Sequence, residues 1–214
     1  VDTVTLYDYW RSSASYRLRI ALNLKGIRYE CEAVDLLSAE QKSVANLARN
    51  AQGLVPSLDL NGDILTQSLA IIEYLDELHP EPAFLPATAR ERARVRALAY
   101  AIAMEIHPVC NIGVVDQFMA MTDAKPEIKQ QWMQTIIRKG LLAFEKMLQH
   151  PDTGRFCHGD QIGLADICLL PQVYNADRWG AKRDDLPLIS GIVERANNLE
   201  AVKQAYPTDP AKAP

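Results

Sequence analysis

A mixed α/β domain followed by an all-helical domain is the fold class that this 214-residue sequence predicts. Three observations carry it. Strand-like and helix-like patterns alternate over the first eighty or so residues, the stretch HPEPAFLPAT at 79–88 holds three prolines, and beyond it the apolar spacing is helical nearly throughout. The first domain is therefore assigned to residues 1–82 and the second to 88–214, with the proline-rich stretch as the linker.

Residues 3–7 read as a short buried strand. Over 12–25, Ala14, Leu18, Ala21 and Leu22 fall near helical spacing, and Gly26 supplies the stop. In 28–34, Tyr29, Cys31 and Ala33 alternate with Arg28, Glu30 and Glu32, the pattern of a half-buried strand. A polar helical stretch is expected over 38–49. In GLVPSLDLNGDILTQS the pair Asn61-Gly62 separates two short apolar runs, which predicts a two-residue hairpin. Residues 68–78 form a helix with Ile71, Ile72, Leu75 and Leu78 on one face, ending before Pro80. The first domain is thus a βαβ unit followed by a ββα unit. Four helices are predicted after the linker, at 89–120, 127–148, 164–175 and from 188 to about 205.

Composition limits the partners. A net charge of −4, with acidic and basic residues interspersed, offers no footprint for a phosphate backbone or an anionic membrane, so neither nucleic acid nor membrane is expected. The four cysteines form no C-x-x-C pair and no metal-ligand spacing with the four histidines, so no disulfide framework and no metal site are predicted. The sequence opens directly into a strand pattern and contains no apolar run near the roughly 18 residues of a membrane span, which makes the cytoplasm the expected location.

The stretch RSSASYRLRIALNLKG at 11–26 admits two readings. Ser12 and Ser13 serve as a plain helix cap, with Arg11 solvated, or they hold an anion at the helix N-terminus. Lowering a thiol pKa from about 8.5 to about 6.5 takes roughly 2.7 kcal/mol. A hydrogen bond to the charged form supplies roughly 1.5–3 kcal/mol, and the helix end about 0.3–1 more. One serine and one helix end therefore suffice to hold a thiolate. No cysteine lies in the stretch, so the thiol arrives with a ligand, and this points to glutathione.

RSSASYRLRIALNLKG, GLVPSLDLNG, QSLAIIEYLDE, GDQIGLADICLLPQVYNADRW and DLPLI, in this order and spacing, resemble the zeta-class glutathione transferases, the group that includes maleylacetoacetate and maleylpyruvate isomerases. The resemblance covers nearly the whole chain. It implies a thioredoxin-like N-terminal domain, an all-helical C-terminal domain, and a homodimer that binds glutathione in a cleft at the domain boundary. It makes Ser12 the donor to the glutathione sulfur, with Ser13 as the neighbour able to share that role. It implies a cis Val55-Pro56 bond that turns the Val55 peptide groups toward the cysteinyl part. Ser68 holds the γ-glutamyl carboxylate, Gln67 contacts the γ-glutamyl group, and Gln52 is a candidate for the glycyl end. His107 and Asn111 are matched to a polar H-P-x-N-N segment that reaches glutathione or substrate. Arg178 is matched to an arginine that faces the substrate, with Arg11 as a second cation, and two guanidinium groups suit a dicarboxylate.

Each of these residues has a plainer reading as well: caps for Ser12 and Ser68, core for His107, a surface ion pair for Arg178. The chain also departs from the family. Ala14 stands where cysteine or threonine is usual, Ala51 where proline is frequent, and Cys110 in place of an asparagine. Gly163 occupies the cap of the helix whose third residue is Asp166, so Asp166 closes only half a capping box. The activity implied is a glutathione-dependent cis–trans isomerisation of a maleyl oxo acid. The alternatives are transfer of glutathione to small α-halo acids and a non-catalytic binding protein of the same fold.

Overall fold

The computed structural model describes residues 3–209. They fall into two compact units, one running to Phe84 and including the chain again from Leu199, the other spanning Leu85–Asn198.

In the first unit β1 (Val4–Asp8) leads into α1 (Ser13–Leu24), which crosses to β2 (Glu30–Ala33); β3 (Ser57–Leu60) and β4 (Asp63–Thr66) follow, in the sheet order β2-β1-β3-β4. β1 lies parallel to β2, with Leu6 opposite Cys31, and antiparallel to β3, with Leu6 opposite Leu58. The hairpin turns at Asn61 and Gly62, whose φ angles of 57° and 94° are those of the left-handed turn predicted. Leu6, Leu18, Leu22, Leu58, Ile71, Ile72 and Leu75 form its core. α3 (Ser68–Leu78) has the predicted bounds.

Four expectations need correction, three of them in or beside this unit. β2 is a strand, but all four of its residues are exposed, because it is an edge strand of the sheet. Glu30 and Glu32 place charge on that edge, a common guard against strand pairing. The stretch 38–49 is not one helix: a 3₁₀ turn at Glu40–Lys42 is followed by α2 (Val44–Arg49), because the Ser43 side chain accepts from the Asn46 N–H and starts a new helix. The last predicted helix is also two. α8 (Pro187–Asn197) ends in the second unit, and α9 (Glu200–Ala205) packs on α1 in the first. There Arg19 Nε donates to the Ala205 carbonyl at 3.0 Å, satisfying the last carbonyl of the helix, and Asn23 Nδ2 donates to the Ala201 carbonyl at 3.0 Å.

The second unit is helical, with α4 (Ala89–Ala103), α5 (Ile112–Thr122), α6 (Pro126–Met147), α7 (Leu164–Trp179) and α8. α7 is buried along nearly its whole length and packs against α4, α6 and α8. Its first turn is held by Asp166, which accepts from the Gly163 N–H at 2.9 Å and the Cys157 N–H at 2.9 Å. Glycine supplies no hydroxyl at the cap, and the second carboxylate oxygen bonds the loop before the helix. The predicted helix over 89–120 is interrupted between Ala103 and Ile112, where Pro108 lacks the N–H that a continuous helix needs.

Lys25 closes the first unit. Its enclosed ammonium donates to Asp76 at 2.7 Å, to the carbonyls of His79 and Pro82 at 2.6 Å each, and lies 4.1 Å from the Phe84 ring centroid. One side chain thus joins the ends of α1 and α3 to the segment leading out of the unit. Removing one partner of a buried pair costs about 3–5 kcal/mol, so Lys25→Ala is expected to lower the unfolding free energy by about 3 kcal/mol in urea titration.

Candidate active site

The turn from β1 into α1 is built by Ser12. Its N–H donates to the Tyr9 carbonyl at 2.8 Å, its carbonyl accepts from Tyr16 at 2.9 Å, and its Oγ accepts from the Ser15 N–H at 3.3 Å. The hydroxyl oxygen is engaged in capping, which leaves the hydroxyl proton to donate outward. Ser13 is buried beside it, and the Arg11 guanidinium lies 5.3 Å from the Trp10 ring centroid. Asp8, at the end of β1, is neutralised by two bonds from Arg19 Nη1 at 2.9 and 2.7 Å. α1 has no acid of its own in its first turn. Its positive end is left without a resident counter-charge.

The same holds at the start of α3. Gln67, with a φ of 68°, makes no side-chain cap, and the first turn again lacks an acid. Of the other helices, α4, α6, α7 and α9 carry an acidic residue in the first turn, whereas α2, α5 and α8 do not. Ser68 is buried, and its Oγ accepts from Arg17 Nη1 at 3.1 Å. Arg17 lies four residues after Ser13 on one face of α1, so the two serine-led helix starts are joined through it.

The loop before β3 adds a third element. Buried Asn50 donates from Nδ2 to the Leu54 carbonyl at 3.1 Å and accepts the Gln52 N–H at 3.0 Å. Gln67 Nε2 then donates to Gln52 Oε1 at 2.6 Å, bringing two predicted ligand residues together. The Val55-Pro56 bond is cis, as the resemblance implied, and among the described residues the Val55 N–H and C=O have no hydrogen-bond partner. Pro56 is buried and Leu54 is exposed.

In the second unit the predicted residues lie apart from one another in sequence and element. His107 is in the turn between α4 and α5, not on a helix as expected. Asn111 caps α5, its Oδ1 accepting from Gly113 at 3.0 Å, so the amide nitrogen is the part left for a ligand. Cys110 is half-buried, and burial pushes its thiol up to about 11, which keeps it protonated at neutral pH. Arg178 is exposed in the last turn of α7, where a cation suits the helix end; it donates to Asn175 at 3.2 Å and lies over Trp179.

Sequence reasoning missed three residues that hold these groups. Arg17 read only as part of a helical pattern. Asn50 had a usable signal, an asparagine three residues before a glycine with φ of 62°. Trp132 had none: its indole N–H donates to the Val109 carbonyl at 3.0 Å while its ring stacks on Phe118 at 4.4 Å, so α6 grips the turn that carries His107 and Cys110. α6 also comes close to that turn at Gly140, where an added Cβ would fall 2.3 Å from Ile106 Cδ1.

Among the described residues no group of three or more His, Cys, Asp or Glu is gathered as a metal site, and no helix is long and apolar enough to cross a membrane.

Residues 6–83 match the glutathione S-transferase N-terminal domain family. The chain is 55% identical over 206 residues to maleylacetoacetate isomerase of Rhizobium meliloti, covering 96% of this chain and 97% of that one. It is similar in structure to a holo maleylpyruvate isomerase described as a bacterial zeta-class glutathione S-transferase, with a TM-score of 0.94, 42% identity, and 98% and 100% of the two chains covered. It is likewise similar to maleylacetoacetate isomerase of Anaeromyxobacter dehalogenans with glutathione bound in the active site, with a TM-score of 0.88, 40% identity, and 100% and 99% covered.

A thiol held protonated by burial reacts slowly with alkylating agents. Burial and Asp8 raise the Cys31 thiol as well, so exposure sets the order: in a brief iodoacetamide pulse at pH 7.5, exposed Cys31 is expected to be labelled ahead of half-buried Cys110, as read by peptide mass mapping; the reverse order would mark Cys110 as an activated nucleophile.

Proposed function

Since this chain belongs to the glutathione transferase family, and within it to the zeta class, we propose that its first unit binds glutathione and that it catalyses the cis–trans isomerisation of a maleyl oxo acid. The protein is an enzyme, a glutathione-dependent maleyl isomerase. The observation that carries the assignment is the pair of serine-led, acid-free helix starts, α1 and α3, joined by Arg17 and accompanied by the open peptide groups of Val55.

The residues fit the tripeptide on their own chemistry. Open amides and a serine at α3 suit a carboxylate, the unpaired Val55 N–H and C=O suit an extended peptide, and the Ser12 hydroxyl at α1 suits a thiolate. We assign Ser68 and Gln67 to the γ-glutamyl group, Val55 and Pro56 to the cysteinyl part, and Gln52 to the glycyl end. Ser12 donates its hydroxyl hydrogen bond, with Ser13 beside it, and favours the ionised sulfur. Bound glutathione supplies a thiolate that adds reversibly to the conjugated double bond and leaves again, so that the carbon pair rotates while singly bonded and glutathione is not consumed.

The chain's own contribution to the reaction is electrostatic. Charge that builds on the substrate during addition is met in the first unit by Arg11 and the α1 N-terminus, and fixed cations and amides of this kind commonly supply the largest part of a rate enhancement. Arg178 and Arg11 also suit the two carboxylates of the substrate. We assign His107 and Asn111 to polar contacts with glutathione or substrate. Ile64, Tyr74 and Leu78 are apolar yet exposed in the first unit, which supports a homodimer, and the cytoplasm is the location we assign.

The test is an assay of maleylacetoacetate and maleylpyruvate with and without glutathione. Loss of the cis isomer is expected only with glutathione, which is recovered in full; consumption of glutathione, or release of halide from α-halo acids at a higher rate, would indicate group transfer instead. Ser12→Ala is expected to lower turnover at least about tenfold, consistent with loss of a charge-assisted hydrogen bond, and Arg178→Ala to raise chiefly the KM for the dicarboxylate. Unaltered steady-state kinetics would remove either residue from the mechanism.

A further inference from the structure

Two arginines lie two residues apart on α1, and both are buried. Arg19 is spent on the fold. Its Nη1 binds both carboxylate oxygens of Asp8, its Nη2 donates to the Trp10 carbonyl at 2.9 Å, and its Nε to the Ala205 carbonyl. Arg17, only 3% exposed, instead sends Nη1 to the hydroxyl oxygen of Ser68 at 3.1 Å.

That bond has a direction. A hydroxyl oxygen that accepts from a guanidinium must point its proton elsewhere, and the cation polarises the O–H and makes it a stronger donor. Ser68 is the first residue of α3, whose start has neither a capping side chain nor an acid. A carboxylate placed there meets the helix end, a polarised hydroxyl and a buried positive charge behind it. The last two are strong because the surroundings exclude water.

We propose that Arg17 is a positioning residue for the α-carboxylate of the γ-glutamyl group: it orients the Ser68 hydroxyl and adds charge beneath the α3 N-terminus, and so sets the preference for glutathione over thiols that lack this carboxylate. The proposal rests on the glutathione reading above and deepens it. α1 then serves the tripeptide twice, with Ser12 at its start for the sulfur and Arg17 one turn further along for the carboxylate.

The experiment is calorimetric titration of the wild type, Arg17→Gln and Arg17→Lys with glutathione and with γ-aminobutyryl-cysteinylglycine, which lacks only that carboxylate. The wild type is expected to bind glutathione at least about 30-fold more tightly than the analogue, and Arg17→Gln to lose about tenfold or more in glutathione affinity while binding the analogue within about twofold of wild type. Arg17→Lys, which keeps the charge but not the fork, falls between them. If the wild type does not distinguish the two ligands, the assignment of the γ-glutamyl group to α3 fails. If it does and Arg17→Gln distinguishes them equally well, that assignment stands and the role of Arg17 is overturned. Should the Arg17 variants lose the far-ultraviolet circular dichroism of the folded protein, Ser68→Ala decides: reduced discrimination is expected, and full discrimination overturns the proposal.

Discussion

The pairing of Asp8 with Arg19, in which one guanidinium nitrogen reaches both carboxylate oxygens, is the contact on which the first unit depends. It couples the end of the central strand to the middle of α1, and through the other guanidinium nitrogens to the Trp10 carbonyl and the last carbonyl of α9. It also has an electrostatic effect. An ionised Asp8 without a cation, so near the start of α1, would repel any anion brought there; with Arg19 against it, the field at the helix start is left to the backbone amides. A contact that holds the fold together therefore also clears the ground for an anionic ligand.

The two arginines of α1 mark how far the sequence could be read. Local chemistry was legible: Asn61-Gly62 called for a left-handed two-residue turn, Ser12 for a cap, and Gly26 for a stop, because each of these depends on residues within a few positions. The division of labour between Arg17 and Arg19 was not, since it depends on Ser68 and Asp8, which approach only when the sheet and α3 are in place. The exposed face of β2 was missed for a related reason. Alternation predicts a strand but not whether a neighbour covers it, and β2 is at the edge.

Periodicity also continued where the backbone did not. Apolar residues recur through 103–112, and nothing in 197–200 breaks a helix as proline would, so the pattern predicts unbroken helices at both places. Pro108 ends the first of these and leaves a turn with His107 and Cys110, held from outside by the Trp132 indole. At the second, α9 leaves the helical unit and is claimed by Arg19 and Asn23. The expected ligand residues Ser12, Gln52, Gln67 and Ser68 come from sequence resemblance, matched one by one, whereas Asn50, Arg17 and Trp132, which hold them or the turn between α4 and α5, emerge from packing alone.

Gly140 places a quiet limit on how this family member can drift. Ile106 occupies the space that any β-carbon at 140 would need, with its terminal Cδ1 and the Cγ1 behind it both far inside contact distance. Bulk at the two positions is therefore a shared quantity: growth at one demands shrinkage at the other, or else a displaced segment around His107. Relatives with a side chain at 140 should therefore carry a residue smaller than isoleucine at 106, and a library that enlarges 140 alone will mostly sample damage.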